Sequence, residues 1–328
     1  MANATVSRLG LVNATGTSFD ALFLKVFSGE VLTAFGQNNI FDERLHTVRT
    51  IASGKSASFP VLGTASAAYH VIGEPLVGAN QIKANEKIIN IDDMLISQAV
   101  VAKLDELKNH YDVRSIYSAE LGKALAKAYD QNVAKTICNA SRASTTLTGG
   151  NGGLVLTLPT GNTTSANVTG DELVAAIYDI AQEFDSRDIP PTDRFCVLPP
   201  AEYYKIPESA TRIIDTDFNP QGNGSVAAGR VSMVAGIPLM MINNVPQSNV
   251  ASSPSGTNNS YAGDDSKTLG LVFHKSAVGT VKLQDMTTEI SGSDYGIMYQ
   301  STLLVAKYAL GHGILRPECA ATIKLSAT

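Results

Sequence analysis

The residues that could do chemistry come first. Gly54-Lys55-Ser56, within the stretch Arg49 to Pro60, is the closing half of a phosphate-binding loop, in which successive backbone N–H groups wrap the phosphates and the lysine reaches the outer ones. Such a loop needs a glycine five residues before the second one, and Arg49 stands there. It also opens a helix, whereas Ser56 to Gly63 runs into Pro60 and reads as extended chain. Asp215-x-Asp217-x-Asn219 begins like a calcium loop, yet Pro220 occupies the position that needs glycine and Val226 the position of the bidentate glutamate. Gly150-Asn151-Gly152-Gly153 lacks the third glycine of a dinucleotide fingerprint and follows no apolar strand, and no Gly-x-Ser-x-Gly elbow surrounds a serine.

His46, His70, His110, His274 and His312 form no pair spaced to place two imidazoles on one metal ion, and Cys138, Cys196 and Cys319 lie far apart, as buried thiols do. These readings point away from an enzyme and imply no cofactor and no metal. The 328 residues, 44% apolar and 17% charged, suit one large or two modest cores. A formal net charge of −5 disfavours affinity for nucleic acid built on counterion release. No h-region opens the chain and no run approaches the ~20 residues that span a bilayer, so neither secretion nor a membrane is expected.

The elements that would position any site follow from periodicity. Behind Ser18, Phe19, Leu22, Phe23, Val26 and Phe27 recur at helical spacing. From Thr50 to about Val101 the pattern is extended, with Lys87 to Asp92 partly alternating around a Gly/Ala-rich middle, which predicts a hairpin unable to bury itself. Leu104 to Ser141 steps mostly by four through Leu121, Leu125, Tyr129, Val133 and Ile137, a helix of roughly 50 Å. Thr169-x-x-Glu172 is a capping box for a second helix carrying Leu173, Ile177, Ile180 and Phe184 on one face, stopped by Pro190-Pro191. Strands are expected at Arg194 to Leu198, Val231 to Val234, Leu239 to Ile242, Leu269 to His274, Thr287 to Ile290, Gln300 to Ala309 and Ala320 to Leu325. The polar segment Gln247 to Lys267 is expected to be an exposed, mobile loop.

Several separated segments, in one order along the chain, carry a resemblance: Ala21 to Phe35, Val48 to Gly63, Asn109 to Gly122, His274 to Asp285 and Ala306 to Ala320. The chain resembles the major capsid proteins of short-tailed bacteriophages of the autographivirus type. Gly236-Ile237-Pro238-Leu239 followed by Asn243-Asn244-Val245-Pro246 is similar to a motif of tailed-phage coat proteins. The resemblance implies an α+β, HK97-like capsid fold. Its parts would be an N-terminal arm (1–47), an extended β-hairpin loop (48–96), a peripheral domain (97–148 and 269–308, spine helix about 104–141) and an axial domain (149–268 and 309–328).

It also implies a coat that self-assembles as hexamers and pentamers into an icosahedral shell around double-stranded DNA. The shell would mature from a procapsid built with scaffolding and portal proteins in the host cytoplasm, and decoration proteins could join it. On this basis the candidate intersubunit contacts are Phe23, Phe27, Arg49, Lys55, Phe59, Glu74, Lys83 and Arg114. No covalent cross-link through Lys55, Lys83 or Lys87 is expected. A nanocompartment shell of the encapsulin type, with the same fold, is the alternative reading; a cytoplasmic enzyme is a distant one.

Overall fold

The four-residue apolar spacing after Tyr117 produces the longest element. In the computed structural model, which describes residues 40–63, 82–102, 113–147, 150–159, 161–209 and 233–326 with a few positions between them (31, 33, 34, 65, 67, 69, 70, 72, 73, 75, 224, 225, 230 and 231), helix α1 spans Val113–Arg142. Its 30 residues extend about 45 Å. Strands β1 Thr47–Thr50, β2 Ser56–Leu62, β3 Ala84–Asn90 and β4 Leu95–Ala102 precede it. After it come β5 Leu154–Thr157, α2 Gly170–Ser186, β6 Arg194–Leu198, the short helices α3 Pro200–Tyr203 and α4 Lys205–Ser209, and the strand pairs β7 Gly224–Ser225 with β8 Arg230–Val231 and β9 Met233–Val234 with β10 Ile237–Met241. The chain closes with β11 Asn249–Val250, β12 Gly263–Asp264, β13 Thr268–His274, β14 Val278–Ile290, α5 Ser293–Tyr299, β15 Ser301–Ile314 and β16 Ala320–Lys324. The helix expected from Ser18 to Phe35 falls almost wholly outside the described residues, as does the proposed start of α1 from Leu104.

Two units divide the chain: one comprises Met1–Ile40, Asp93–Asp130 and Gln284–Leu310, the other Phe41–Asp92, Gln131–Leu283 and Gly311–Thr328. In the first, β4 pairs antiparallel with β15 from Ser301↔Ala102 to Tyr308↔Leu95. Leu121, Leu125, Ala126 and Tyr129 of α1 and Leu304, Ala306 and Tyr308 of β15 are buried there, and the Tyr308 hydroxyl meets the Leu125 carbonyl at 3.5 Å.

The second unit holds a six-stranded mixed sheet in the order β5-β16-β13-β6-β10-β9. Its central strands β13 and β6 are covered on both faces; every residue of β13 except His274 is buried, and so is every residue of β6 except Phe195. Helix α2 begins with the expected capping box, Thr169 accepting from the Glu172 N–H while the Glu172 carboxylate accepts from the Thr169 N–H, and its predicted face of Leu173, Ile177, Ile180 and Phe184 is fully buried. The Phe184 ring lies under the Arg194 guanidinium, which the Asp185 carboxylate holds at 2.7 Å.

Two expectations change. β14 is far longer than Thr287 to Ile290 because Val278 to Val281 is buried on both sides, which erases the period-two signal. The polar segment 247–267 is mostly exposed, as expected, but it is anchored: Tyr261 and Asp265 are buried in it, and Asn258 and Asn259 are tied to the hairpin base. Composition marked it polar, and a few of its polar groups, those of Asn258, Asn259 and Tyr261, are spent on internal partners.

Candidate subunit-contact surfaces

Strands β2 and β3 pair antiparallel from Ser56↔Asn90 to Leu62↔Ala84. One face, Ala57, Val61 and Ile89, is buried, whereas Leu62 and Ile88 on the strands, Ile82 beside β3, and Tyr69 and Ile72 in the connection between them stand exposed. The hairpin therefore leaves apolar side chains in water, as a segment completed by another surface would. Gly54 answers the question raised by its neighbours: its φ of +125° is a left-handed turn leading into β2, and the Lys55 carbonyl accepts the Ile91 N–H at 3.0 Å, closing the hairpin's base. The stretch is a turn and a strand, with no helix N-terminus to cradle phosphate.

Long-range bonds fix the base. Asp92 Oδ1 accepts from the Asn258 N–H at 2.7 Å, the Asn259 N–H at 3.1 Å and the Asn259 side-chain amide at 2.9 Å. The Tyr261 hydroxyl donates to Asp92 Oδ2 at 2.5 Å and accepts the His312 N–H at 3.2 Å. Burial, reinforced by the Asp92 carboxylate, pushes the Tyr261 phenol up, so it stays protonated and a donor. Asn258 and Asn259 also donate to the carbonyls of Ile91 and Asn90. A Cβ on Gly311 would lie 1.9 Å from the Asn90 carbonyl oxygen, so only glycine lets β15 pass this close.

The other unit carries its own exposed apolar groups: Met94, Leu95, Ile96 and Val100 on and before β4, Ile116 and Tyr117 early in α1, and Ile297, Met298 and Tyr299 on α5. Together with the hairpin these are most of the large apolar side chains that the described residues leave exposed.

Of the sequence-derived contact candidates, Arg49 and Phe59 come together: the guanidinium donates to the Ser58 carbonyl at 2.7 Å and lies 5.8 Å from the Phe59 ring centroid. Lys55 and Lys83 are exposed, one just before β2 at the hairpin's base and the other just before β3 at its far end, roughly 20 Å apart by strand rise. Phe23, Phe27 and Glu74 lie outside the described residues; Arg114 lies on the first turn of α1, with its side chain likewise outside them. Sequence reasoning missed Asp92 and its partners Asn258, Asn259 and Tyr261, because more than 160 residues separate Asp92 from the other three and no local pattern links them.

Among the described residues no group of three His, Cys, Asp or Glu side chains is placed to hold a metal ion, and no helix is long and apolar enough to cross a membrane. Cys138, Cys196 and Cys319 are buried and unbridged, and burial pushes their thiols up, away from the nucleophilic thiolate. Burial lowers His46 to about 4 and His312 to about 3, so both are neutral; His312 Nδ1 shares a 2.8 Å hydrogen bond with the Thr280 hydroxyl.

Comparison with known proteins gives the family. A family model described as Gp10A-like, major capsid protein, matches residues 58–324. The chain belongs to this family of major capsid proteins. It is 36% identical over 321 residues to the major capsid protein of Escherichia phage T7, covering 92% of this chain and 91% of the relative, and 34% identical over 325 residues to that of Enterobacteria phage T3. The capsid structure of cyanophage P-SCSP1u is 45% identical with a TM-score of 0.80, covering all of both chains. The mature capsid of bacteriophage PhiM1 has the same fold, with a TM-score of 0.70 at 20% identity over 89% of this chain and 88% of the other. The fold is HK97-like, α+β, and the chain is a shell-forming coat protein of a phage virion, a structural protein in a family not known for enzymes.

Proposed function

We propose that this coat protein assembles as hexamers and pentamers of an icosahedral shell that encloses double-stranded DNA, built first as a scaffold-assisted procapsid around a portal in the bacterial cytoplasm. The observation that carries it is the 36% identity to a phage major capsid protein along 92% of the chain, joined to a hairpin that leaves Leu62, Ile82 and Ile88 in water. Many repeated weak contacts, each completing such a surface, give a closed shell its toughness. The net charge of −5 suits confinement of DNA by closure instead of by affinity.

In this reading residues 1–47 are the arm, 48–96 the extended loop, 97–148 with 269–308 the peripheral domain, and 149–268 with 309–328 the axial domain. Phe23, Phe27, Arg49, Lys55, Phe59, Glu74, Lys83 and Arg114 are contact candidates, and decoration proteins would bind the finished exterior. A shell for other cargo has only fold in its favour: a virus-like particle from Pyrococcus furiosus matches with a TM-score of 0.56 at 13% identity.

Electron microscopy of the protein expressed alone and with a scaffolding protein tests the proposal. Closed polyhedral shells with scaffold, and tubes or partial shells without it, are expected. A uniform small oligomer under both conditions refutes the shell, and closed shells that hold cargo protein in place of DNA in the infected cell refute the genome-container reading.

A further inference from the structure

The four-stranded sheet has the order β1-β14-β15-β4 and the six-stranded sheet ends on β5 and β9, which leaves four edge strands to account for. An edge strand presents unpaired N–H and C=O groups, and folded proteins blunt such edges by shortness, charge or proline. Three of the four are blunted: β9 has two residues, β5 has four, and β1 has four and carries Arg49. β4 is not. Its eight residues, Leu-Ile-Ser-Gln-Ala-Val-Val-Ala, hold no charge and no proline, and among the described residues it pairs only with β15.

The face beside this open edge is apolar too. Ile96, Gln98 and Val100 alternate outward, and Ile96 and Val100 are 52% and 57% exposed. In register beside them stand Lys307, Val305 and Leu303 of β15, where Lys307 is turned to Glu289 at 2.6 Å. The remaining stripe has no charge to attract an acidic or basic ligand, so what it matches is another uncharged extended chain.

We propose that the open edge of β4 is a strand-addition site for a second copy of this chain. The proposal rests on the coat-protein reading, which supplies identical copies held in fixed register. An added strand satisfies the outward backbone groups of β4, and its alternate side chains pack on Ile96 and Val100. An edge this long and uncharged would otherwise be a template for uncontrolled aggregation; in a shell subunit it is covered once assembly occurs.

Amide hydrogen exchange on the wild-type protein, as unassembled subunit and as shell, tests this. The β4 amides that face away from β15 are expected to exchange quickly in the subunit and to slow about 100-fold or more in the shell. A photo-crosslinking residue at Gln98, in shells assembled from mixed light and heavy isotope-labelled chains, is expected to give adducts between differently labelled copies. Val100→Lys is expected to leave the subunit's thermal melt near that of the parent and to cut the yield of closed shells at least tenfold; should that variant not fold, the wild-type exchange comparison decides. Unchanged exchange of β4 in wild-type shells, or a crosslink to scaffold or another protein instead of a second copy, overturns the proposal while leaving the coat reading intact. Failure of the wild-type chain to form shells at all removes both.

Discussion

Replacing Asp92 by alanine tests whether the hairpin base is clamped. The carboxylate accepts four hydrogen bonds, two from backbone N–H groups, one from an amide and one from a phenol. Asp92 is half-buried, so the Asn258 and Asn259 donors can turn to water at a cost of about 0.5–1.5 kcal/mol each. The Tyr261 hydroxyl cannot: its residue is only 2% exposed, and an orphaned donor there costs about 1–3 kcal/mol. The expected loss is about 3–7 kcal/mol, seen as a lower urea midpoint of the unassembled subunit with unchanged slope. Tyr261→Phe leaves Asp92 three donors but removes two bonds, the one to Asp92 and the one from the His312 N–H, which is orphaned in a residue only 2% exposed, so about 2–4 kcal/mol is expected. The double variant should lose less than the sum, because the orphaned hydroxyl is then absent. Hydrogen exchange in residues 84–90 should rise in Asp92→Ala before the six-stranded sheet is affected. A subunit within 0.5 kcal/mol of the parent, with β3 equally protected, would refute the clamp.

Two further outcomes follow from buried charge. His46 and His312 are lowered by burial to about 4 and about 3, from 6.5 in the unfolded chain. A depressed imidazole favours the fold while neutral, so its contribution is complete above about pH 6.5 and is lost as pH falls toward those values; each should cost about 2 kcal/mol by pH 5. Urea unfolding of the subunit at pH 7 and pH 5 measures this, and a flat profile would contradict it. Asp265, fully buried, holds Lys135 at 2.9 Å and Arg142 at 2.6 Å. Asp265→Ala leaves a buried ammonium without its counter-ion and should cost about 3–5 kcal/mol in a thermal or urea melt; a loss under 1 kcal/mol would show the triad to be dispensable.

Where local rules decide structure, the sequence was legible. The Thr169–Glu172 box, the four-residue steps from Leu121 to Ile137 and the apolar run Arg194 to Leu198 each carry their own signal, and each became the element expected. Legibility failed where tertiary burial overrides periodicity. Val278 to Val281 is covered on both faces and shows no alternation, and Asn258-Asn259 looks like any polar loop until Asp92 arrives from 166 residues away.

The candidate contact residues came from resemblance alone, and there is a physical reason. An enzyme's site converges within one chain, so titratable residues and their spacing leave traces in the sequence; a shell protein's site is half a surface, and its other half is the same chain again. What such a chain displays is incompletion: a hairpin with Leu62 and Ile88 in water, and a β4 edge with neither charge nor proline. Taken alone, either feature would count as a solubility defect. They are consistent with stability only if association is fast and specific enough to cover them, and the Asp92 clamp bears on that condition. If a neighbour completes the hairpin as proposed, fixing its base to Asn258, Asn259 and Tyr261 beforehand lowers the conformational entropy that assembly must otherwise remove. On the contact role proposed for the hairpin, the interior bonds that sequence reasoning missed belong to its mechanism, since they preorganise a hairpin that cannot bury itself.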